Sequence, residues 1–276
     1  MRRELKKMEK RMDREDERDL KQLEGRPKRH ILRNVLLIAL GTIAAALVAG
    51  YFLFDVPSWQ RLDIQKITAV QQTGAIYDRN GELISALKGS EDRTLIALSS
   101  LPDHVKNAFI AAEDLRFYRH PGFDVVRIFG AVMATLRSRG FSEGASTITQ
   151  QLVKLSHLSS EKTIARKLEE IYLALQLEAL YSKDEILQMY LNYVYFGRGA
   201  YGVEAAAQAY FNCSAAELTA AQAATLAAII KAPSAYSPQQ NPESNAKRRN
   251  YILATMRDNN LLSQEEYALA AAEAIA

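Results

Sequence analysis

The chain is organised around the stretch EDLRFYRHPG, residues 113–122. If residues 104–120 form a helix, Glu113, Phe117 and His120 occupy positions i, i+4 and i+7, which lie on one face. The proline and glycine that close the stretch would then end the helix. The pattern therefore places a carboxylate, an aromatic ring and an imidazole together at a helix end.

The two carboxylates of this stretch have two interpretations. Asp114 would point about 100° away from Glu113 around a helix, so the two could form an ordinary solvated surface pair. Alternatively, Glu113 lies beside an apolar wall, where burial would raise its pKa toward the range that suits a general acid or base. A lone histidine such as His120 more often packs or caps than reacts, so this stretch alone does not decide between them.

The N-terminal part of the chain is not globular in composition. The chain has 276 residues and a formal net charge of +3. Residues 1–33 contain 13 Lys and Arg against eight Asp and Glu and no aromatic residue, which is typical of a solvated basic tail. Because the net charge comes largely from this tail, no nucleic-acid partner is indicated. The single cysteine, Cys213, allows no internal disulfide, so the folded domain depends on its core.

Residues 35–54, VLLIALGTIAAALVAGYFLF, carry no charge and are long enough to cross a bilayer as a helix at about 1.5 Å per residue. A cleaved signal peptide is the alternative, but its apolar core would be about 7–15 residues long. Basic residues precede the stretch and acidic residues follow it, so the positive-inside rule puts the N-terminus in the cytoplasm. We predict a basic cytoplasmic tail at 1–33, a transmembrane helix at 34–55 and an extracytoplasmic remainder.

Beyond this segment, residues 56–100 are predicted to form a linker and a β-hairpin at about 74–88, because β-forming residues flank an Asn-Gly pair. Residues 101–276 have a helical pattern without repeats or β-α-β alternation. Three serines precede a glutamate at the spacing of a capping box, which marks a helix start. The pairs are Ser182 with Glu185, Ser214 with Glu217, and Ser263 with Glu266. The predicted fold is therefore mainly α.

Residues 123–136, FDVVRIFGAVMATL, are apolar on almost every side of a helix and are followed by Arg137 and Arg139. Such a helix is either buried or in lipid. A core helix with a basic end is one interpretation. The other is a segment that dips into the outer leaflet and admits a lipid-linked substrate.

Residues 143–154, EGASTITQQLVK, combine small, hydroxyl and amide side chains in a turn that leads into a helix. Hydroxyl residues favour a helix N-terminus, where free N–H groups attract anions or sugars. A plain serine- and threonine-rich cap is the alternative. The candidate binding residues here are Ser146, Thr147, Gln150, Gln151 and Lys154.

Residues 161–178, EKTIARKLEEIYLALQLE, are predicted to form a helix in which Arg166 and Lys167 pair with Glu170. This arrangement could be an ordinary salt-bridged face. It could also hold a pyrophosphate and its metal, because arginine chelates phosphate oxygens and lysine supplies a point charge. The predicted buried stripe of this helix consists of Ile164, Leu168, Ile171 and Leu175.

Residues 183–211 carry several tyrosines and phenylalanines around a glycine-rich turn. Leu187, Tyr190 and Leu191 are predicted to be core residues of a helix. The aromatic set is interpreted as packing rather than as a platform for sugar rings.

Taken in order, the motifs resemble those of the peptidoglycan glycosyltransferases, glycosyltransferase family 51, over roughly residues 70–270. They are ED-x-x-F-x-x-H-x-G, G-x-S-T-I-T-Q-Q-L-x-K, R-K-x-x-E and Y-L-N-x-x-x-F-G-x-G-A-Y-G-x-E-A-A-A. The family occurs as the N-terminal module of class A penicillin-binding proteins and as monofunctional transglycosylases. The resemblance implies a lysozyme-like, mainly α glycosyltransferase domain at residues 101–276, which polymerises lipid II at the bacterial inner (cytoplasmic) membrane.

The resemblance also implies roles for single residues. Glu113 matches the catalytic glutamate, which takes the proton from the sugar 4-hydroxyl of the lipid II acceptor, and Glu170 matches the second essential glutamate. The growing glycan is the donor, and its undecaprenyl pyrophosphate leaves with inversion, aided by a divalent cation, Mg²⁺ or Mn²⁺. Basic groups around the pyrophosphate are matched by Lys154, Arg166 and Lys167. The other matches are Asp114, Phe117 and His120 in the first motif and Ser146, Thr147, Gln150 and Gln151 in the substrate cleft.

Two other function classes remain open. A catalytically silent membrane scaffold would keep this fold to bind other cell-wall synthesis proteins, although it would need no charged cleft residues. A lysozyme-like hydrolase would also use two carboxylates in an α-rich cleft, although it would need no basic pyrophosphate site. One position departs from the family pattern, because Leu155 follows Lys154 where Asn is usual, and this puts one polar contact in doubt.

No transpeptidase is expected in this chain. The sequence SSEK at residues 159–162 has the S-x-x-K form, but no K-T-G follows it. The hairpin sequence resembles class A proteins more than monofunctional ones. Whether the chain is a module of a longer class A protein or a monofunctional enzyme is therefore left open.

Overall fold

The structure is a computed structural model of the chain, and the residues that it describes form two compact units. These units are Met1–Trp59 and Gln60–Ala276. The described residues are 8, 12, 28–53, 59–69, 74–80, 83–87, 92–130 and 146–274. Most of the predicted basic tail lies outside these residues.

Helix α1, Lys28–Leu53, makes up most of what is described of the first unit. It contains nearly all of the uncharged stretch 35–54. Its apolar side chains Val35, Leu37 and Ile38 are exposed. In the part of the chain that the structure describes, no helix is both long enough and apolar enough to cross a membrane.

The β-hairpin predicted at about 74–88 is confirmed. Strands β1, Gly74–Tyr77, and β2, Leu83–Leu87, pair antiparallel, with Gly74 opposite Leu87. The pairing register shifts near the turn, as it does at a β-bulge. Close to the turn, the Asp78 carboxylate accepts a hydrogen bond from the Asn80 N–H at 2.8 Å, the side-chain bond of an Asx turn.

The remainder of the second unit is mainly α, as the sequence predicts. Among the described residues, short 3₁₀ turns lie at Leu98–Ser100, Phe117–Arg119 and Ala215–Glu217, and residues 125–130 are also helical. In chain order the elements are α2 Gln65–Thr68, β3 Asp92–Arg93, α3 Asp103–Glu113, α4 Ile148–His157, α5 Ile164–Leu180, α6 Lys183–Tyr193, β4 Ala200–Tyr201, α7 Val203–Phe211, α8 Ala220–Ile230, α9 Pro242–Asp258 and α10 Gln264–Ala272.

Helix α8 lies at the centre of the core. It packs against α3, α9, α10 and α7. Its sequence, AAQAATLAAII, is apolar on almost all sides, the pattern of a fully buried helix. Leu226 and Ile229 are completely buried, and burial of each stabilises the fold by about 1.5–3 kcal/mol. The alanines allow α3 and α9, which carry charged residues of the site described below, to approach closely.

Capping boxes start several of these helices, and the three predicted ones are confirmed. The box of Ser214 starts the 3₁₀ turn Ala215–Glu217, whereas Thr219 with Gln222 starts α8. A further box, Thr147 with Gln150, starts α4. A side-chain cap of this kind stabilises a helix by about 0.5–2 kcal/mol.

The prediction of one continuous helix over residues 104–120 is wrong. Helix α3 ends at Glu113, and Asp114 leaves the helix with φ −156° and ψ 74°. The Asp114 side chain is fully buried and hydrogen-bonded to His120 and to the N-terminus of α4, contacts that form only where the chain has left the helix. Phe117 then turns into the core. The carboxylate, ring and imidazole therefore do not share a helical face.

The buried face of α5 also differs from the predicted one. The predicted stripe includes Ile164 and Leu175, which are 72% and 40% exposed. At about 100° per residue, the observed face is rotated from the predicted one by about 140° around the helix. Apolar residues occur all round α5, so their spacing does not select one face. The buried residues are Glu170, Leu173, Ala174 and Leu177.

The helical residues 125–130 begin the apolar segment predicted at 123–136. Val125, Val126 and Phe129 are all exposed, so the interpretation as a buried core helix is wrong for these residues. Residues 131–145 lie outside the described residues. The interpretation as a segment that dips into the outer leaflet stays a prediction.

A glycine turn separates α6 from α7, as the sequence predicts. Gly197, Gly199 and Gly202 all have positive φ angles, of 84°, 76° and 84°. A Cβ atom at Gly202 would lie 2.9 Å from the backbone oxygen of Asn192. The turn carries β4, which pairs in parallel with β3. This pairing was not predicted, because two-residue strands about 100 positions apart leave no local pattern.

We expect Gly202→Ala to lower the melting temperature of the protein by roughly 4–10 °C, because the added methyl group combines a backbone clash with an unfavourable φ. The measurement is thermal unfolding of the detergent-solubilised full chain by circular dichroism. Gly130→Ala is the control, because no described atom beyond its own helix backbone lies within 4 Å of its added Cβ. Equal melting temperatures for the two variants would contradict this assignment.

Candidate active site

Glu113 is the last residue of α3, and its side chain is 12% exposed. Its Oε2 accepts a hydrogen bond from Gln151 Nε2 at 2.8 Å. Its Oε1 has no hydrogen bond to the described residues and forms a longer ion pair with Arg248 Nη2 at 3.6 Å. Burial raises the pKa of Glu113, and the Gln151 hydrogen bond and the Arg248 charge oppose this rise. One oxygen is thus held by a hydrogen bond, while the other is buried and has no hydrogen-bond donor among the described residues.

Asp114, the next residue, has the opposite surroundings. Its carboxylate is completely buried, so the interpretation of the pair as solvated is wrong for this residue. Oδ2 accepts hydrogen bonds from His120 Nε2 at 2.9 Å and from the Ile148 N–H at 3.1 Å. Oδ1 lies 3.3 Å from Arg127 Nη1. With both oxygens engaged, Asp114 is suited to fix the local structure rather than to exchange protons with a substrate.

The hydrogen bonds of His120 determine which nitrogen carries its proton. Nδ1 lies 3.2 Å from the Gly122 N–H and accepts from it, so Nε2 carries the proton and donates to Asp114. The edge of the imidazole packs against Phe117, with ring centroids 6.3 Å apart. Phe117 is fully buried, and Lys183 Nζ lies 4.5 Å from its ring centroid. His120 and Phe117 therefore hold the loop after α3 in position.

The N-terminus of α4 is attached to the same loop. The Thr147 hydroxyl donates to the Gly122 carbonyl at 2.6 Å and accepts from the Gln150 N–H at 3.1 Å. Gln150 Oε1 accepts from the Thr147 N–H in return. The Gln150 side chain is buried, and its Nε2 has no hydrogen-bond partner in the described part of the chain. Both predicted residues thus have structural contacts at the start of α4.

Glu170 forms a second charged cluster within α5. Its carboxylate is completely buried, with Arg166 Nη1 at 2.9 Å from Oε2 and Lys167 Nζ in contact with Oε1. Lys167 also donates to the Ser146 hydroxyl at 2.8 Å. Two cations against one carboxylate leave one positive charge in excess. Arg166 Nε is buried and has no hydrogen-bond partner among the described residues, so the cluster is suited to bind an anion.

Helix α4 connects the two acidic residues. Glu113 is hydrogen-bonded to it through Gln151, and the Glu170 cluster is hydrogen-bonded through Lys167 to Ser146, just before its first turn. No direct hydrogen bond or ion pair joins Glu113 to Glu170 in the described contacts. The proton acceptor and the anion site are thus separate features held by one helix N-terminus.

Lys154 and Leu155 lie on the same helix, and both side chains are exposed. Lys154 forms no hydrogen bond or ion pair with the residues that the structure describes. Its charge is therefore available to a ligand. Because Leu155 is exposed, the departure from the family pattern leaves an apolar surface position beside this lysine.

Several residues of the site were not selected from the sequence. Arg127 Nη1 donates to the backbone carbonyl of Glu113 at 2.9 Å. Lys231 and Arg248 add positive charge near the Glu113 carboxylate. Tyr190, predicted to be a core residue, is indeed fully buried but also donates to Gln151 Oε1 at 3.1 Å. Arg127 could have been found, because a lone charge in an apolar helix needs a partner. No spacing pattern relates the others to Glu113.

The described residues do not fit a metal site built by the protein. No group of three or more His, Cys, Asp or Glu in this part of the chain could hold a metal ion. Both oxygens of Glu170 and both oxygens of Asp114 already have donors or cations against them. The divalent cation stays a prediction of the resemblance.

The comparison with known families gives the class of protein. The sequence matches the transglycosylase family over residues 80–257. The chain therefore belongs to this family, and the resemblance to glycosyltransferase family 51 is confirmed. The matched range contains both charged clusters of the site.

Two curated relatives agree with this assignment. Penicillin-binding protein 1A/1B of Bacillus subtilis (strain 168) is 44% identical over 241 residues, covering 87% of this chain and 26% of that protein. Penicillin-binding protein 1F of the same organism is 40% identical over 236 residues, covering 86% of this chain and 32% of that protein. A crystal structure of penicillin-binding protein 1A from Haemophilus influenzae covers 75% of this chain and 21% of that one, at 26% identity and a TM-score of 0.42. The chain spans about a quarter to a third of the length of the two curated relatives.

The raised pKa of Glu113 predicts the stability of Glu113→Gln. The folded protein favours the protonated form of the Glu113 carboxyl. The contribution of this carboxyl to stability is therefore complete below its pKa in the unfolded chain, and it is lost as the pH rises through its pKa in the folded protein. We therefore expect Glu113→Gln to melt at a higher temperature than the wild type at pH 7, with a difference that narrows toward pH 4. Thermal unfolding across this pH range is the measurement.

Glu185→Gln is the matched control. Glu185 is exposed, and hydrogen bonds from Ser182 lower its pKa, so neutralising it should give no gain at pH 7. A Glu113→Gln melting temperature equal to or below that of the wild type at pH 7 would show that burial does not destabilise the charged form of Glu113.

Proposed function

We propose that this chain is a membrane-anchored, inverting peptidoglycan glycosyltransferase that polymerises lipid II into glycan strands and releases undecaprenyl pyrophosphate during bacterial cell wall synthesis. The observation that carries the proposal is that the start of α4 contacts both a buried carboxylate with one oxygen lacking a hydrogen bond and a cluster with an excess of positive charge. The first feature suits proton abstraction, and the second suits a leaving pyrophosphate. Family membership supports the same reaction class.

In the proposed reaction, Glu113 is the general base. The 4-hydroxyl of the acceptor sugar donates to Oε1, the oxygen without a hydrogen bond to the described residues. As the hydroxyl oxygen attacks the anomeric carbon of the donor, its proton passes to Oε1 and the bond to the pyrophosphate breaks with its electron pair. Attack from the side opposite the leaving group inverts the anomeric carbon. The Gln151 hydrogen bond keeps the carboxylate oriented during the transfer.

The leaving pyrophosphate gathers negative charge in the transition state. Arg166 and Lys167 are fixed in advance by Glu170, so they need little reorganisation when that charge develops. Glu170 is therefore assigned a positioning role for two cations rather than a role as a second base. The exposed Lys154 supplies a further cation on the neighbouring helix.

The membrane anchor is part of the proposal. We assign residues 34–55 to a transmembrane helix, residues 1–33 to the cytoplasmic side, and the linker 56–100 with the domain 101–276 to the outer side. The uncharged stretch 35–54 and its basic flank support this topology. The exposed Val125, Val126 and Phe129 support contact of the segment 123–136 with the outer leaflet, where the lipid-linked substrate lies.

We expect the detergent-solubilised full chain to polymerise labelled lipid II, and Glu113→Gln to lower the rate by about 10²–10⁴-fold, because the amide cannot accept the proton. Glycan ladders resolved by gel electrophoresis measure the rate. Glu185→Gln, an equal loss of charge at an exposed position, should retain the wild-type rate. Wild-type polymerisation by Glu113→Gln would refute the assignment of the base, and absence of polymer from all three proteins would favour a scaffold.

We expect the full chain to remain in bacterial membranes after alkaline carbonate extraction. Leu37→Asp combined with Leu40→Asp should release it, since each charge opposes insertion by about 2.5–3.5 kcal/mol. The matched control Leu37→Ile with Leu40→Ile should stay in the pellet. Extraction of the wild-type protein by carbonate would argue against a spanning anchor.

A further inference from the structure

Two consecutive hydrogen bonds connect the buried Tyr190 to the proposed base. The Tyr190 hydroxyl donates to Gln151 Oε1 at 3.1 Å, and Gln151 Nε2 donates to Glu113 Oε2 at 2.8 Å. The three residues come from α6, α4 and α3, so the connection crosses three helices. Tyr190 is fully buried and Glu113 nearly so. Water therefore has little access to substitute for either bond.

The orientation of the Gln151 amide decides what faces Glu113. A glutamine side chain can place either its oxygen or its NH₂ group toward a neighbour. With the oxygen toward Tyr190, the buried hydroxyl proton has an acceptor and the carboxylate has a donor. With the amide reversed, the hydroxyl proton would lose its only acceptor among the described residues and the carboxylate would face another oxygen. An unsatisfied buried donor is unfavourable, so the hydroxyl helps to hold the amide in the observed orientation.

The Tyr190 hydroxyl keeps its proton over the working pH range. Burial raises its pKa well above the usual value, and the negative charges of Glu113 and Asp114 act in the same direction. The donor of the first hydrogen bond is therefore permanent. A side chain that stays neutral can orient the base without competing with it for the proton.

We propose that Tyr190 is a positioning residue: through Gln151 it keeps an N–H donor on Glu113 Oε2 and leaves Oε1 as the oxygen that takes the acceptor proton. This inference rests on the proposed role of Glu113. It assigns a function to a residue that the spacing of apolar side chains marks only as core. Tyr190 is predicted to act through Gln151 and not to touch the substrate.

Other charged groups also face Glu113, and they are unchanged by a substitution at Tyr190. The cations are Arg127, Lys231 and Arg248, and the carboxylate of Asp114 is adjacent in the chain. Removing the Tyr190 hydroxyl leaves these charges in place and frees the amide of Gln151. A change in the titration of Glu113 in such a variant therefore reports the loss of the amide donor.

The sign of the expected change follows from that donor. A hydrogen bond to the carboxylate stabilises its charged form and lowers its pKa. Loss of the bond in Tyr190→Phe therefore raises the pKa of Glu113. The acid limb of the pH-rate profile, where the base becomes protonated, should move upward by about 0.5–1 pH unit. At high pH, where Glu113 is charged in both proteins, the rates should approach each other.

The experiment measures kcat/KM for polymerisation of labelled lipid II from pH 5 to 9 by the detergent-solubilised full chain. Tyr190→Phe is compared with the wild type and with Tyr210→Phe. Tyr210 is a suitable control because its half-buried hydroxyl donates to the Phe196 carbonyl at 2.8 Å and belongs to α7, outside the hydrogen bonds of Glu113. An upward shift of the acid limb in Tyr190→Phe, with none in Tyr210→Phe, supports the proposal. An unshifted limb in Tyr190→Phe overturns it.

Two further variants keep the test decisive. If Tyr190→Phe does not fold, Gln151→Met removes the same donor with a side chain of similar shape, and its acid limb decides by the same criterion.

Glu113→Gln separates this inference from the proposed function on which it rests. If Glu113→Gln keeps the wild-type rate and acid limb, Glu113 is not the base and both proposals fail. If Glu113→Gln is inactive while Tyr190→Phe is unshifted, only the inference about Tyr190 fails.

Discussion

The buried carboxylate of Asp114 is the interaction on which the site depends. It accepts hydrogen bonds from His120 and from the Ile148 N–H, and it pairs with Arg127. These partners come from the loop after α3, the start of α4 and the helical residues 125–130, so one side chain joins three segments. Removing one partner from a buried charge typically costs about 3–5 kcal/mol. The chain therefore leaves α3 where it does, and Glu113 is placed at the helix end facing α4.

Two adjacent acids thus serve opposite purposes because their surroundings differ. Both oxygens of Asp114 are engaged, which makes it a fixed part of the scaffold, whereas Glu113 has a raised pKa and one oxygen without a hydrogen bond to the described residues. A buried carboxylate with one oxygen lacking a hydrogen bond destabilises the folded state when it is charged. Such a loss of stability is common where a side chain must react. Glu170 shows the reverse arrangement, because its buried charge is neutralised by Arg166 and Lys167, which it holds ready for an anion.

The sequence predicts local features well and long-range ones poorly. The hairpin and the capping box of Ser182 follow from residues a few positions apart, so both could be read directly. The end of α3 is set by Asp114 reaching α4, more than 30 residues later, and no local pattern contains that bond. The buried face of α5 centres on Glu170, which apolar periodicity would never select. Arg248 approaches Glu113 from α9 only in the folded chain, so no sequence pattern relates the two residues. Most of the other site residues lie within the family motifs, which are short continuous stretches of sequence and could therefore be recognised directly.

The most direct test of the central claim is a crystal structure of the full-length Glu113→Gln protein with lipid II bound. The proposed mechanism predicts the acceptor 4-hydroxyl within about 3 Å of the side-chain oxygen or nitrogen that replaces Oε1. It also predicts the pyrophosphate of the donor against Arg166 and Lys167. A sugar hydroxyl placed on Glu170, or a pyrophosphate bound away from both cations, would contradict the division of roles between the two clusters.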